Sequence, residues 1–242
     1  LEAQTGLTTP DCIELQRTLA LFANGGLTHS VVEVSSHALE LERVADVDFD
    51  LAIFTNFSQD HLDFHNSMDD YFKAKSKLFS CLSKESLAVI NGDDPKSSEL
   101  IQMTPARTIT YGFDGEADIM FSEWGMSIDG ITGTIECDGE TIQVSSPLIG
   151  SYNLHNILAA VAAARMLKIP ADSIAEGIAF LRSVPGRVEQ MKSHNGATII
   201  IDYAHTPDAL KISTKPKATR EYMTPDNRPA MRTSRNHNSS PT

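Results

Sequence analysis

The chain has 242 residues, 41% of them hydrophobic and 21% charged, enough to bury one good core and part of a second. A formal net charge of −12 argues against a nucleic-acid or anionic-membrane surface as the main partner, although a local basic pocket for phosphates is compatible with it. Cys12, Cys81 and Cys137 are widely spaced with no C-x-x-C pair, which argues against a disulfide scaffold and for free, mostly buried thiols in a reducing cytoplasm.

No apolar run approaches the roughly 20 residues of a membrane span, and Leu1 to Gln4 show no basic stretch leading into a hydrophobic signal segment. Thr9-Pro10 is a helix-start signal, and Leu15, Leu19 and Phe22 recur at helical spacing until Gly25-Gly26 stops the run. Strands are expected at 30–34 and 50–54, a helix over 68–82, a strand over 87–90, then a turn at 91–95 before another helical stretch. Such alternation is that of an α/β domain with a mainly parallel sheet flanked by helices. Residues 107 to 148 change to short alternating runs broken by glycines, among them 108–111, 131–137 and 141–144, and read as a small antiparallel insertion. Helices follow over 154–167 and 172–181, Val184-Pro185-Gly186 punctuates, and a strand over 197–202 would open another domain. Residues 211–242 carry seven Lys or Arg against two acidic residues and hardly an apolar run, so this basic tail is expected to be disordered.

The chemistry-bearing residues sit at strand ends. The run Val31 to Val34 leads into Ser35-Ser36-His37, and Leu51 to Phe54 leads into Thr55-Asn56 and then Asp60-His61-Leu62-Asp63. Open α/β sheets place ligands beyond the carboxyl ends of their strands. A carboxylate such as Glu33 and an imidazole such as His61 delivered there could share a divalent cation, with an edge strand whose Glu33 faces solvent as the plainer alternative. His61 and His65, four apart with Asp60 and Asp63 nearby, leave a transition-metal site or solvated loop residues open. Lys75 falls in the apolar stripe of Met68, Phe72, Phe79 and Leu82, at successive spacings of four, three, four and three, while Lys73 and Lys77 lie on other faces. A buried stem with a snorkelling ammonium is the ordinary account of such a lysine.

Glu33 to His37, Thr55-Asn56, Asp60 to Asp63, Tyr71 to Phe79, Gly150 to Ala160 and Val184 to Arg187 through Asp202 to Asp208 resemble, in this order, the Mur ligases of peptidoglycan synthesis, over roughly residues 5 to 210. The resemblance implies a cytoplasmic, monomeric enzyme that uses ATP and Mg2+ to add a third amino acid, diaminopimelate or lysine, to UDP-N-acetylmuramoyl-L-alanyl-D-glutamate through an acyl phosphate. It assigns Glu33, His61 and a carbamylated Lys75 to magnesium and catalysis, Asn156, Arg187 and Asp202 to ATP, and Thr8, Thr9, Ser35 and Arg43 to the sugar-nucleotide peptide. Leu41 and Leu7 stand where some members carry glutamine and asparagine. It further implies a central ATPase domain over 1–186, the start of a C-terminal ligase domain over 187–210, and the tail beyond. The family's Gly-Thr-x-Gly-Lys-Thr phosphate loop does not occur in this sequence, so the chain is expected to be an inactive fragment. Sister Mur ligases, folylpolyglutamate synthetases and a non-catalytic remnant that binds substrate or partner are the alternatives.

Overall fold

The computed structural model describes residues 6–59, 63–113, 116–194, 198–203 and 221–223. The chain divides into two compact units, one ending at Tyr111 and one beginning at Gly112.

In the first unit, helix α1 spans Cys12–Asn24 and is capped by Asp11, whose side chain accepts from the Glu14 amide. Thr9, the cap expected from sequence, instead turns its hydroxyl to residues 33–35. The strand expected at 30–34 is not formed. An apolar β-branched run favours extended backbone but supplies no ladder partner, and none pairs with this segment among the described residues. Val31 is 96% exposed, and Val32 and Val34 pack on the small cluster of Leu15, Leu39 and Val44. A short helix that sequence did not announce, α2 (Ser36–Glu40), follows, capped by the Ser35 hydroxyl.

Strands β1 (Leu51–Phe54), β2 (Leu87–Asn91) and β3 (Arg107–Tyr111) pair in parallel, with Leu51 opposite Leu87 and Leu87 opposite Arg107. Residues 108–111 therefore belong to the parallel sheet, not to the antiparallel group in which their alternation had placed them; alternation reports one half-covered face, not strand direction. Helix α3 (Met68–Ser80) begins at the Ser67 cap with Asp69 and Asp70 in its first turn, where the helix dipole favours acids. Its Phe72 and Phe79 enter the core beside Ala52, Phe54, Ala88, Ile90 and Leu100, the last from α4 (Ser97–Met103). Burying each aromatic side chain there contributes on the order of 2–3 kcal/mol.

In the second unit, β4 (Ile119–Ser127), β5 (Gly130–Cys137) and β6 (Glu140–Ser146) form an antiparallel meander. Ile131, Ile135 and Cys137 alternate inward with Ile142 and Val144. Helix α5 (Ser151–Met166) packs on β4 and α6 (Ala171–Phe180) on β6. A hairpin of β7 (Glu189–Lys192) and β8 (Thr198–Ile201) follows; β8 is the strand expected near 197–202, whereas the polar run of β7 gave no strand signal. Of the tail expected to lack order, Glu221–Met223 forms β9 and pairs antiparallel with Trp124–Met126. A backbone ladder needs no apolar run, which is why composition did not reveal it. The rest of that tail lies outside the described residues.

Among the described residues no helix is long and apolar enough to cross a membrane. The cysteines are unpaired, but Cys12 and Cys81 are exposed and only Cys137 is buried, a correction to the expectation of mostly buried thiols. Cys12 falls in the first turn of an amphipathic helix and Cys81 at a helix end, positions where small apolar side chains reach solvent.

Candidate functional site

Thr9 organises one half of the site in the first unit. Its side chain is 1% exposed; the hydroxyl donates to the Glu33 carbonyl at 2.8 Å and accepts from the Ser35 amide at 3.0 Å. These two bonds supply what a neighbouring strand would have supplied to residues 33–35. Arg43, half-buried, donates from Nη1 to the Thr9 carbonyl at 3.1 Å, and the Ser35 hydroxyl accepts from the Ala38 amide at 3.2 Å. Thr9, Ser35, Arg43 and the Glu33 backbone thus meet directly, with Thr8 exposed next to them and the Glu33 side chain at the surface. Hydroxyls, helix-terminal amides and a guanidinium in one place suit an anionic oxygen ligand.

The other half is built on α3. His65 is 6% exposed, its Nε2 lies 2.9 Å from the Ser36 hydroxyl, and its ring stacks on Tyr71 with centroids 5.1 Å apart. The Lys75 ammonium lies 5.4 Å from the Tyr71 ring centroid, close enough for cation–π attraction. Lys75 is half-buried, while Lys73 and Lys77 are exposed and face Asp70 at 3.9 Å and Glu40 at 2.7 Å. A chain of contacts therefore runs from Ser36, beside Ser35, through His65 and Tyr71 to Lys75. His65 is buried and so not a solvated loop residue. Among the described residues no three His, Cys, Asp or Glu side chains gather to hold an ion, but Asp60 and His61, the partners named for His65, lie outside those residues.

The second unit carries the remaining three. Asn156, exposed on α5, donates from Nδ2 to the Asn153 side-chain oxygen at 3.0 Å, and buried Asn153 donates in turn to the Ile149 carbonyl at 2.7 Å. Gly150, at φ +103, makes the turn into this helix, and a Cβ there would come within 3.0 Å of the Tyr152 ring. Burial first and then Asp202, with Arg187 opposing, push the Tyr152 phenol up to about 12, so these three side chains share one neighbourhood. The Arg187 guanidinium lies 5.7 Å from the Tyr203 ring centroid.

Several of these residues were not singled out from sequence. Asn153 stands three before Asn156 on the same helical face, a spacing that could have revealed it. Ser36 and Tyr71 were read only within longer motifs and His65 only as a metal ligand or solvated loop residue; the tertiary contacts that join the three link distant segments and left no local signal.

Within this α/β unit, the hydroxyls of Thr9 and Ser35 and the Arg43 guanidinium have the chemistry to hold phosphate or carboxylate oxygens. The family model for the Mur ligase middle domain matches residues 2–164, and the chain belongs to the Mur ligase family. It is 42% identical over 210 residues to the UDP-N-acetylmuramoyl-L-alanyl-D-glutamate--2,6-diaminopimelate ligase of Bacillus cereus, an alignment that covers 84% of this chain and 43% of that protein. The Gloeobacter violaceus protein of the same name is 43% identical over 205 residues, covering 84% and 42%. A solved structure of a UDP-N-acetylmuramoyl-L-alanyl-D-glutamate--2,6-diaminopimelate ligase superposes with a TM-score of 0.72 at 32% identity, over 83% of this chain and 42% of that one. The chain thus spans less than half the length of these relatives.

Proposed function

We propose that this chain is part of a ligase that joins an amino acid, diaminopimelate on the likeness to its relatives, to UDP-N-acetylmuramoyl-L-alanyl-D-glutamate at the expense of ATP. The observation that carries the reading is the 42% identity over 84% of the chain to ligases named for that substrate and that amino acid. The side chains it needs are supported by geometry in the first unit, where Thr9, Ser35 and Arg43 are joined by hydrogen bonds of 3.0–3.1 Å. In this reading residues up to 186 form the middle domain and Arg187 opens the next.

The substrate's free carboxylate would take the γ-phosphoryl group of ATP with release of ADP, and the incoming amine would then attack the acyl carbon, lose a proton and expel phosphate. Arg43 offers a forked donor to an anionic substrate group, and the hydroxyls of Thr8 and Ser35 add neutral hydrogen bonds. Thr9 holds these groups in place. Asn156 would pair its side-chain amide with the exocyclic amine and a ring nitrogen of adenine, oriented by its bond to Asn153, while Arg187 and Asp202 would serve phosphate and ribose. Magnesium, when bound, neutralises charge on the transferred phosphoryl group. Glu33 and His61 would supply an oxygen and a nitrogen to hold it, and Lys75 would supply a carbamate oxygen after its amine adds carbon dioxide and loses a proton.

Calorimetric titration of the chain with UDP-N-acetylmuramoyl-L-alanyl-D-glutamate tests the substrate assignment. Binding weakened about tenfold or more by Arg43→Ala is expected, since a charged hydrogen bond contributes about 1.5–3 kcal/mol. Binding that Arg43→Ala leaves unchanged would remove Arg43 from the site.

A further inference from the structure

We propose that Asp94, with Asn91 and Tyr111, is a positioning residue that fixes the segment after β1 and, through Phe57, the aromatic face on which Lys75 lies. The ladder between β1 and β2 ends at Phe54 opposite Ile90. Beyond that point three side chains take over from backbone pairing. The buried Tyr111 hydroxyl donates to the Phe54 carbonyl at 3.1 Å, the Asn91 side-chain amide donates to the Thr55 carbonyl at 2.6 Å, and the Asp94 carboxylate accepts from the Phe57 amide at 2.6 Å.

The three are themselves held. Asp94 is 8% exposed and its second oxygen accepts from the Lys96 amide at 2.9 Å, while the Asn91 oxygen accepts from the Asp93 amide at 3.1 Å. A carboxylate suits the Asp94 position because both of its partners are donors, so an amide there would leave one N–H facing another. Asn91 ends β2, the strand paired with β1, Tyr111 ends β3 on the far side of β2, and Asp94 follows β2, so the clamp is mounted on the parallel sheet.

Phe57 transmits the placement. Its ring lies 4.9 Å from that of Tyr71 and makes an edge contact with Phe72 at 5.3 Å, and Tyr71 in turn carries His65 on one side and the Lys75 ammonium near its ring. Loosening Phe57 therefore uncovers the Tyr71 face and changes the surroundings of Lys75, while Lys73 and Lys77, paired with surface acids on other faces, are untouched.

The importance of Lys75 rests on the ligase reading above; its selective protection does not. The test is Asp94→Asn in this chain, read by hydrogen exchange at the Phe57 amide and by the rates at which acetic anhydride acetylates Lys73, Lys75 and Lys77, followed by peptide mass spectrometry. Tyr111→Phe, which deletes one bond and no charge, is the milder companion, and Glu99→Gln on the exposed Lys96 pair is the control. Expected are about tenfold faster exchange at Phe57 and about tenfold faster acetylation of Lys75 in Asp94→Asn, as for loss of one charged hydrogen bond, with Lys73 and Lys77 unchanged and a smaller effect of the same kind in Tyr111→Phe. Unchanged exchange at Phe57 would overturn the clamp. Faster exchange with Lys75 unaltered would overturn the link to the lysine, and equal acceleration of all three lysines would reduce Asp94 to a general stability residue. Failure of the ligase reading shows elsewhere, as absence of a carbamate signal on wild-type Lys75 under 13C-bicarbonate.

Discussion

Replacing Thr9 by valine keeps its shape and removes one oxygen on which two backbone groups depend. The hydroxyl donates to the Glu33 carbonyl at 2.8 Å and accepts from the Ser35 amide at 3.0 Å in a side chain that is 1% exposed. Each lost hydrogen bond removes about 1 kcal/mol, and more where the abandoned group cannot reach water. Glu33 is exposed and Ser35 half-buried, so the carbonyl recovers part of its hydration and the amide little. The expected loss is therefore about 2–3 kcal/mol. Urea unfolding monitored by circular dichroism measures it, with Thr9→Ser, which keeps the oxygen, losing less than half as much and Thr8→Val, at an exposed neighbour, nearly neutral. A Thr9→Val protein within about 0.5 kcal/mol of wild type, the range of an ordinary surface change, would refute the view that Thr9 stands in for a missing strand.

Further outcomes are expected elsewhere in the chain. Phe79→Ala, 2% exposed in the first core, should lower stability by about 3–5 kcal/mol in the same unfolding assay. Burial, and then Asp93 and Asp94, raise the Tyr111 phenol far above its ordinary value, so its contribution is full below about pH 10 and is lost as pH rises beyond it. Absorbance titration should show Tyr111 ionising only with unfolding, and Tyr111→Phe should flatten the alkaline loss of stability. Thiol labelling should modify Cys12 and Cys81 quickly and Cys137 only after unfolding, because Cys137 is buried and its thiol is held up by burial. Asn153→Ala should leave the fold intact and weaken any adenine-nucleotide binding about as much as Asn156→Ala, measured by calorimetry, since it removes the oxygen that orients the Asn156 amide.

Much of the first unit was legible because its signals are local. The spacing from Met68 through Phe72 and Phe79 to Leu82 and the apolar run of β2 each fix an element within about fifteen residues. The same spacing marked Lys75 as facing inward, and its half-buried place between two exposed lysines follows from helical geometry alone. What escaped was non-local. Val31 to Val34 form an apolar β-branched run like that of a strand, but a strand exists only with a partner, and here Thr9 occupies that role. Residues 108–111 carried no information on direction, which β2 settles. The bonds from Asn91, Asp94 and Tyr111 to residues 54–57 connect positions more than thirty apart and leave no trace in spacing.

On the ligase reading proposed above, Lys75, and not its neighbours, serves the ligation site. The direct measurement is ADP release dependent on both UDP-N-acetylmuramoyl-L-alanyl-D-glutamate and diaminopimelate, in the complete ligase that carries this segment, for Lys75→Ala, Lys73→Ala and Lys77→Ala. Lys75→Ala should lower the rate at least about 100-fold, as for loss of a metal-organising group, with partial recovery in added short carboxylic acids and none in bicarbonate, while the other two stay within about twofold, as solvated lysines do. Equal losses in all three, or full activity in Lys75→Ala, would contradict the account and leave Lys75 as a lysine that merely snorkels to solvent.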